Sequence, residues 1–300
     1  MHIVKKQNSD LIITVPKEWD GLTIEDVLKK EWHLSKKTIH LIRMDKLVAI
    51  NGKNVRFSER LQKGQKFIIH NVLQYEDYGY EPYPVDFNVL YEDDFLLIVN
   101  KPAGIATHPN KQEDIQTLAN GIAYYLQEKG ERCKVHHVHR LDKDTSGAIL
   151  FTKSSFVGAI LDHQLTERKI KRTYTAIVHG KLKKKRDIIR AKIGRDRHHP
   201  TRRRVSPTGQ DAITHYEVIA FDAKKNVSQI RCELKTGRTH QIRVHLAHIG
   251  HPLVGDTLYG GKPIFYRQAL HGQFLTFIHP FTLEKIKIEA PFIDNFPTLC

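Results

Sequence analysis

Hydrophobic positions change their period several times along this chain. In residues 20–70, Ile24, Val27 and Leu28 recur at helical spacing behind Thr23, whose hydroxyl can cap the helix, and Asp26 completes a capping-box pattern. Ser35 can cap a second helix carrying Ile39 and Ile42. An apolar run at 47–50, the hairpin signal Asn51-Gly52 and a further run at 67–69 then predict a small sheet, so two helices are expected to precede it. Beyond residue 88, short apolar or alternating segments at 89–90, 95–99, 148–152, 173–178, 214–219 and 227–234 read as strands. A mixed, mainly β region with interspersed helices follows. No internal repeat is visible.

Between these two regions, residues 73–88 combine acidic side chains with Pro82 and Pro84, and the tyrosines Tyr75, Tyr78, Tyr80 and Tyr83 fall in or beside them without a period. They are expected to form a linker, giving a small module over 1–72 and a large domain over 89–300. The chain of 300 residues, 40% of them hydrophobic, is long enough to bury a substantial core. Its first residues lack the apolar run of a signal peptide. No stretch approaches the roughly 20 apolar residues of a spanning helix, so a soluble, cytoplasmic protein away from membranes is expected. Cys133, Cys232 and Cys300 are odd in number and far apart, unlike a disulfide framework or a zinc site.

Charge sharpens the picture. Lys and Arg number 48 against 33 Asp and Glu, a formal +15, which points to a polyanionic partner. Residues 181–204 hold twelve Lys/Arg and two Asp, so this one stretch supplies +10, whereas residues 71–100 hold seven Asp/Glu and no Lys/Arg. A run of like charge is by default a solvated face, and only its neighbouring motifs turn it into a candidate phosphate-binding surface.

The most informative segment is His139-Arg140-Leu141-Asp142-Lys143-Asp144-Thr145-Ser146-Gly147, just before the apolar run Ala148-Ile149-Leu150-Phe151. Its composition suits an ordinary turn, but its order resembles the signature of the RluA-type pseudouridine synthases. Three further segments resemble that family in its own order: Tyr91-Glu92-Asp93-Asp94 through Asn100-Lys101-Pro102-Ala103-Gly104, then Lys171-Arg172-Thr173-Tyr174-Thr175-Ala176, then Thr236-Gly237-Arg238-Thr239-His240-Gln241-Ile242-Arg243-Val244-His245. The resemblance spans residues 85–290. In the smaller region, Gly21-Leu22, Ser35-Lys36-Lys37, Leu41-Ile42, Ala49-Ile50-Asn51-Gly52 and Lys63-Gly64-Gln65 resemble the S4 RNA-binding domain.

These resemblances imply an α+β fold: a catalytic domain on a mixed, largely antiparallel sheet with a central cleft, preceded by a small S4-like α/β module. They imply isomerisation of uridine to pseudouridine in structured RNA, chiefly large-subunit ribosomal RNA and in some relatives transfer RNA. No cofactor, metal or protein partner is implied, and a monomer is expected. Asp142 would be the catalytic carboxylate, attacking the nucleotide or removing a sugar proton. An ionised carboxylate in a site dry enough to hold a base needs a fixed cation beside it. The resemblance assigns that cation to Arg243, in the first turn of a helix that Thr239 can cap and that buries Ile242, Leu246 and Ile249. Tyr174 would pack on the uracil, over Leu234 as a possible apolar wall. Arg140 would enter the RNA in place of the extruded nucleotide. Arg238, His240 and the basic residues Arg202, Arg203 and Arg204 would contact phosphate.

Other classes fit less well. The histidine groups His136, His137, His139 and His245, His248, His251 have no Cys or Glu in a metal-binding pattern beside them. Asp142 and Asp144 are too close in sequence to flank a glycosidic bond. A non-catalytic RNA-binding relative would be free to lose one of Asp142, Tyr174 and Arg243, and all three are here.

Overall fold

The structure, a computed structural model, describes residues 4–72, 77–111 and 113–299; Tyr75 of the expected linker and Cys300 lie outside them. In the smaller region, strands β1 (Val4–Gln7) and β2 (Asp10–Thr14) come first, followed by helices α1 (Ile24–Asp26) and α2 (Lys36–Met44), then β3 (Val48–Ile50), β4 (Lys53–Asn54) and β5 (Lys66–Ile69). They form one antiparallel sheet in the order β1-β2-β5-β3-β4. Two strands therefore precede the helices that the sequence placed first. Only Val4 is apolar in β1, which is why its period was silent, while Leu11 and Ile13 of β2 are fully buried.

Local signals were otherwise obeyed. Thr23 Oγ1 accepts the amide of Asp26 (3.0 Å) and Asp26 Oδ2 accepts the amide of Thr23 (3.1 Å), the reciprocal capping box. Ser35 Oγ accepts the amide of Thr38 at 3.1 Å. Asn51 and Gly52 both take positive φ, 50° and 79°, as the tight β3–β4 hairpin requires.

The two regions share one hydrophobic core. Trp32, at the end of the first helical segment, packs edge-on against Trp19 (5.5 Å) within its own region and against Phe156 and Phe281 (both 5.6 Å) of the other. Its ring also stacks on Phe67, and its Nε1 donates to the carbonyl of Pro280 (3.2 Å). An apolar cluster running continuously from Leu11 to Phe281 joins them.

The large sheet begins with β6 (Asn88–Glu92) and β7 (Leu96–Lys101). After helix α3 (Leu118–Glu128) come β8 (His136–His137) and β9 (Ser146–Thr152), then helix α4 (Ser155–Thr166) and β10 (Lys171–His179). Next are β11 (Arg186–Arg190), β12 (Ile193–Arg195), β13 (Arg203–Val205), β14 (Ile213–Asp222) and β15 (Val227–Leu234). Helix α5 (Gln241–His248), β16 (Leu270–Ile278) and β17 (Lys285–Glu289) complete it. The main path is β11-β14-β15-β10-β16-β9-β7-β6, with β17 beside β16 and β8 beside β9, and β12–β13 stand apart as a hairpin. In β7 and β9 successive residues face opposite layers: Leu97, Val99, Ile149 and Phe151 meet α3 and α5, while Leu96, Ile98 and Leu150 meet α4 and the smaller region. Burial on both faces explains why these strands read as continuous apolar runs.

Strand β9 pairs with β16 in parallel, and there Gly147 lies opposite Gly272. Gly147 has φ +124°, and a Cβ there would overlap the Gly272 backbone. Among the described residues, no helix is long and apolar enough to cross a membrane.

Because Trp32 bridges both regions, we expect Trp32→Ala to cost about 3–5 kcal/mol. We also expect the two regions of the wild-type protein to unfold together. Both tryptophans, Trp19 and Trp32, lie in the smaller region, so denaturation followed by tryptophan fluorescence and by circular dichroism should give coincident transitions; two separated midpoints would refute a shared core.

Candidate active site

Asp142 sits in the loop between β8 and β9, and its backbone is held from both sides. Thr107 Oγ1 donates to the Leu141 carbonyl (3.0 Å) and accepts the Leu141 amide (3.2 Å). The Thr145 amide donates to the Asp142 carbonyl at 3.0 Å. Lys101, fully buried at the end of β7, donates from Nζ to the carbonyls of Pro102, Ile105 and Lys143, each at 2.8 Å. Burial pulls the Lys101 ammonium down to about 7, against the opposing pull of the Asp142 and Asp144 charges. On the far side, buried Arg267 reaches the Asp144 carbonyl (3.2 Å) and Ser146 Oγ (2.8 Å) while Asp294 grips its Nε and other amino nitrogen (2.8 and 3.0 Å).

The side chain of Asp142 meets Arg243, the third residue of α5. One terminal nitrogen of Arg243 donates to Asp142 Oδ2 at 3.2 Å, and its Nε and second terminal nitrogen donate to the two oxygens of Asp256 at 2.8 and 2.9 Å. The Asp256 side chain is 1% exposed and that of Asp142 18%. The guanidinium is thus fixed by the closed carboxylate and offers its remaining edge to the open one. Thr239 does not cap α5. His240 occupies that position in left-handed conformation (φ 58°), and the Gln241 side chain closes the turn by accepting the Arg238 amide (3.0 Å) and donating to the Ile213 carbonyl (3.0 Å).

Two clefts meet at Asp142. One, of about 520 Å³, is lined by Leu141, Tyr174, Leu234, Ile242, Arg172 and Arg238. The other, of about 840 Å³, runs past Lys143, Thr201, Arg203, Asp256 and Gln268. Arg140, Leu141, Asp142, His240 and Arg243 border both. Volumes of this order hold small ligands. Tyr174 projects from β10 and is 4% exposed; burial raises its hydroxyl pKa, and the Asp142 charge adds to this. The site therefore combines a partly open carboxylate, a buried cation and a protonated phenol around an apolar wall.

The sequence pattern of the RNA pseudouridylate synthase family matches residues 95–248, and that of the N-terminal domain of the ribosomal pseudouridine synthase RluD matches residues 11–67. The chain belongs to the RNA pseudouridylate synthase family. It is 48% identical over 298 residues to the uncharacterized RNA pseudouridine synthase YhcT of Bacillus subtilis (strain 168), covering 99% of this chain and 98% of the relative. It is 36% identical over 274 residues to the ribosomal large subunit pseudouridine synthase D of Haemophilus ducreyi, covering 84% and 82% of the two chains. Among solved structures, the human RNA pseudouridylate synthase domain containing 1 superposes with a TM-score of 0.56 at 26% identity, over 71% of this chain and 86% of the other.

In this synthase, an isomerase acting on RNA, the fold gathers Asp142, Tyr174, Arg243, Arg140, Arg238, His240, Leu234 and Arg203 around the two clefts. Arg202 and Arg204 line neither: Arg202 is bound by Asp196 (2.7 Å) and Arg204 is exposed on β13. The basic stretch also divides. Lys184 and Arg186 pair with Asp187 and Glu217 at the outer edge of the sheet, whereas the β12–β13 hairpin reaches the second cleft. The histidines of the two sequence clusters find other partners: His136 meets Asp162, His137 stacks on His108, and His245 bonds Thr214 and the Ala191 carbonyl. Cys133 and Cys232 are buried. Sequence reasoning missed Asp256, Lys101, Arg267 and Tyr259. Lys101 lay inside a quoted motif without a role, and for Asp256 only the Gly255-Asp256 turn could have served as a signal.

Asp256→Asn leaves the Arg243 cation buried with one fewer charge. We expect about 3–5 kcal/mol of lost stability and at least a tenfold fall in pseudouridine formation, read by denaturation and by nucleoside chromatography of digested RNA. Unchanged values for both would contradict the anchoring arrangement.

Proposed function

We propose that Asp142 is the catalytic carboxylate and that the synthase modifies a specific uridine in structured RNA, large-subunit ribosomal RNA first and transfer RNA second. The supporting observation is the carboxylate at the junction of two clefts, paired at 3.2 Å with an arginine that a second carboxylate fixes. The relative from Haemophilus ducreyi, a ribosomal large subunit pseudouridine synthase by name, favours the ribosomal target.

The reaction breaks the C1′–N1 bond and joins C1′ to C5 of the same base; the C5 proton leaves and N1 gains one. Leaving and incoming groups are one retained molecule, so no external reagent enters. Asp142 acts as nucleophile or as base toward a sugar proton, and either role needs an ionised carboxylate; the Arg243 cation stands beside it at 3.2 Å. Tyr174 packs on the uracil opposite Leu234, and its protonated hydroxyl can give a proton to the base. Arg140, exposed between the clefts, fills the space left by the extruded nucleotide. Arg238, His240, Arg202, Arg203 and Arg204 bind phosphates. Residues 1–72 are read as an S4-like RNA-binding module joined by 73–88 to the catalytic domain 89–300. The enzyme is read as a cytoplasmic monomer that needs no cofactor.

Asp142→Asn is nearly isosteric and deletes the reactive carboxylate. We expect it to abolish pseudouridine formation while RNA affinity stays within several-fold; turnover at a comparable rate would overturn the assignment. Replacing Arg202, Arg203 and Arg204 together with Gln should flatten the salt dependence of RNA binding by about 2 in log–log slope if all three touch phosphate. An unchanged slope would remove the hairpin from the RNA interface.

A further inference from the structure

Tyr259 joins three parts of the molecule through one hydroxyl. That oxygen accepts the backbone amide of Arg203 in the basic hairpin at 2.9 Å and lies 2.9 Å from His240 Nδ1. The Tyr259 ring stands edge-on to the His240 ring (5.8 Å, 87°), and the Arg243 guanidinium lies 5.0 Å from its centroid. The opposite nitrogen of His240, Nε2, faces Asp142 Oδ2 at 4.0 Å.

Donor and acceptor logic favours one placement of the protons. With one lone pair of the Tyr259 oxygen taken by the Arg203 amide, the hydroxyl proton is free to point at Nδ1, which then accepts. Nε2 must carry the imidazole proton, and it points at a carboxylate, which only accepts. We propose that Tyr259 is a positioning residue that locks His240 as the Nε2–H tautomer, so that His240 offers Asp142 a second, neutral donor beside Arg243. The 4.0 Å gap closes to a hydrogen bond when RNA fills the clefts, as catalytic contacts commonly tighten in the complex. The left-handed backbone of His240 and the Gln241 brace keep the ring in place. The inference rests on Asp142 as the catalytic group, and it ties the position of the phosphate-facing hairpin to the orientation of that carboxylate.

Burial lowers the His240 pKa, with the Arg243 and Arg203 charges acting in the same direction and those of Asp142 and Asp256 against it. Tyr259 donation to Nδ1 favours the same neutral form. Activity should therefore fall only below the ordinary histidine range, and loss of the Tyr259 hydroxyl should move that acid limb to higher pH.

The test uses the full-length protein and a substrate stem-loop. Long-range ¹H–¹⁵N spectra of the wild type, with His240 assigned from His240→Gln, should show a protonated Nε2 and a bare Nδ1; the opposite tautomer overturns the proposal even if Tyr259→Phe misfolds. Tyr259→Phe should lower kcat roughly ten- to hundredfold with KM within twofold, and raise the acid limb. Unchanged kcat and pH profile, or a change in KM alone, overturns it. His240→Gln, which can still present an N–H, should keep more kcat than His240→Ala; equal loss counts against the donor role. An active Asp142→Asn enzyme would bring down the underlying reading, whereas an inactive one with an indifferent Tyr259→Phe would bring down this inference alone.

Discussion

The site depends on one guanidinium shared unequally between two carboxylates. Arg243 cannot shed its proton in a protein, so burying it requires a permanent counter-charge, and Asp256 supplies one in bidentate geometry. With that partner closed off, the hydrogen bond to Asp142 is the arginine's looser contact. A site with only Arg243 and Asp142 would leave the whole charge of the arginine to the cleft-facing carboxylate. Division of labour between a closed carboxylate and a cleft-facing one lets the cation be buried while one acid keeps an open edge.

Everything behind this pair keeps the Asp142 loop at fixed height above the sheet. Lys101 stitches the loop after β7 to Lys143, and Arg267 stitches the start of β9 to the C-terminal segment through Asp294. These two buried cations act mainly on carbonyl oxygens. Backbone positions otherwise left without partners are thereby satisfied, and the loop gains rigidity that its turn-forming residues could not provide alone.

Much of this was legible in the sequence where a signal was local. The Thr23 and Ser35 caps, the Asn51-Gly52 hairpin and strand β15 follow from rules that act within a few residues. The signature around Asp142 and the segment around Arg243 lie 101 positions apart, and only resemblance brought them together. What was missed is non-local. Asp256 and Tyr259 carry no periodic or motif signal, because their importance comes from what a folded loop brings beside α5. The α5 cap was misread because a threonine next to a helix start is an ordinary N-cap, and nothing in the sequence reveals that Gln241 performs the bracing. The basic stretch looks uniform in composition, but antiparallel pairing puts β11 at the outer edge of the large sheet and folds β12–β13 into a separate hairpin beside the second cleft. The shared core was equally invisible, since Trp32 reads as interior without saying whose.

The close approach of Gly147 to Gly272 separates two things that the Asp142 signature runs together. Its last residue, Gly147, answers to a close approach of two main chains. A descendant that had abandoned isomerisation would still be obliged to retain that glycine, because a side chain there would push two paired main chains apart. Survival of that glycine would then record inherited architecture rather than a retained reaction.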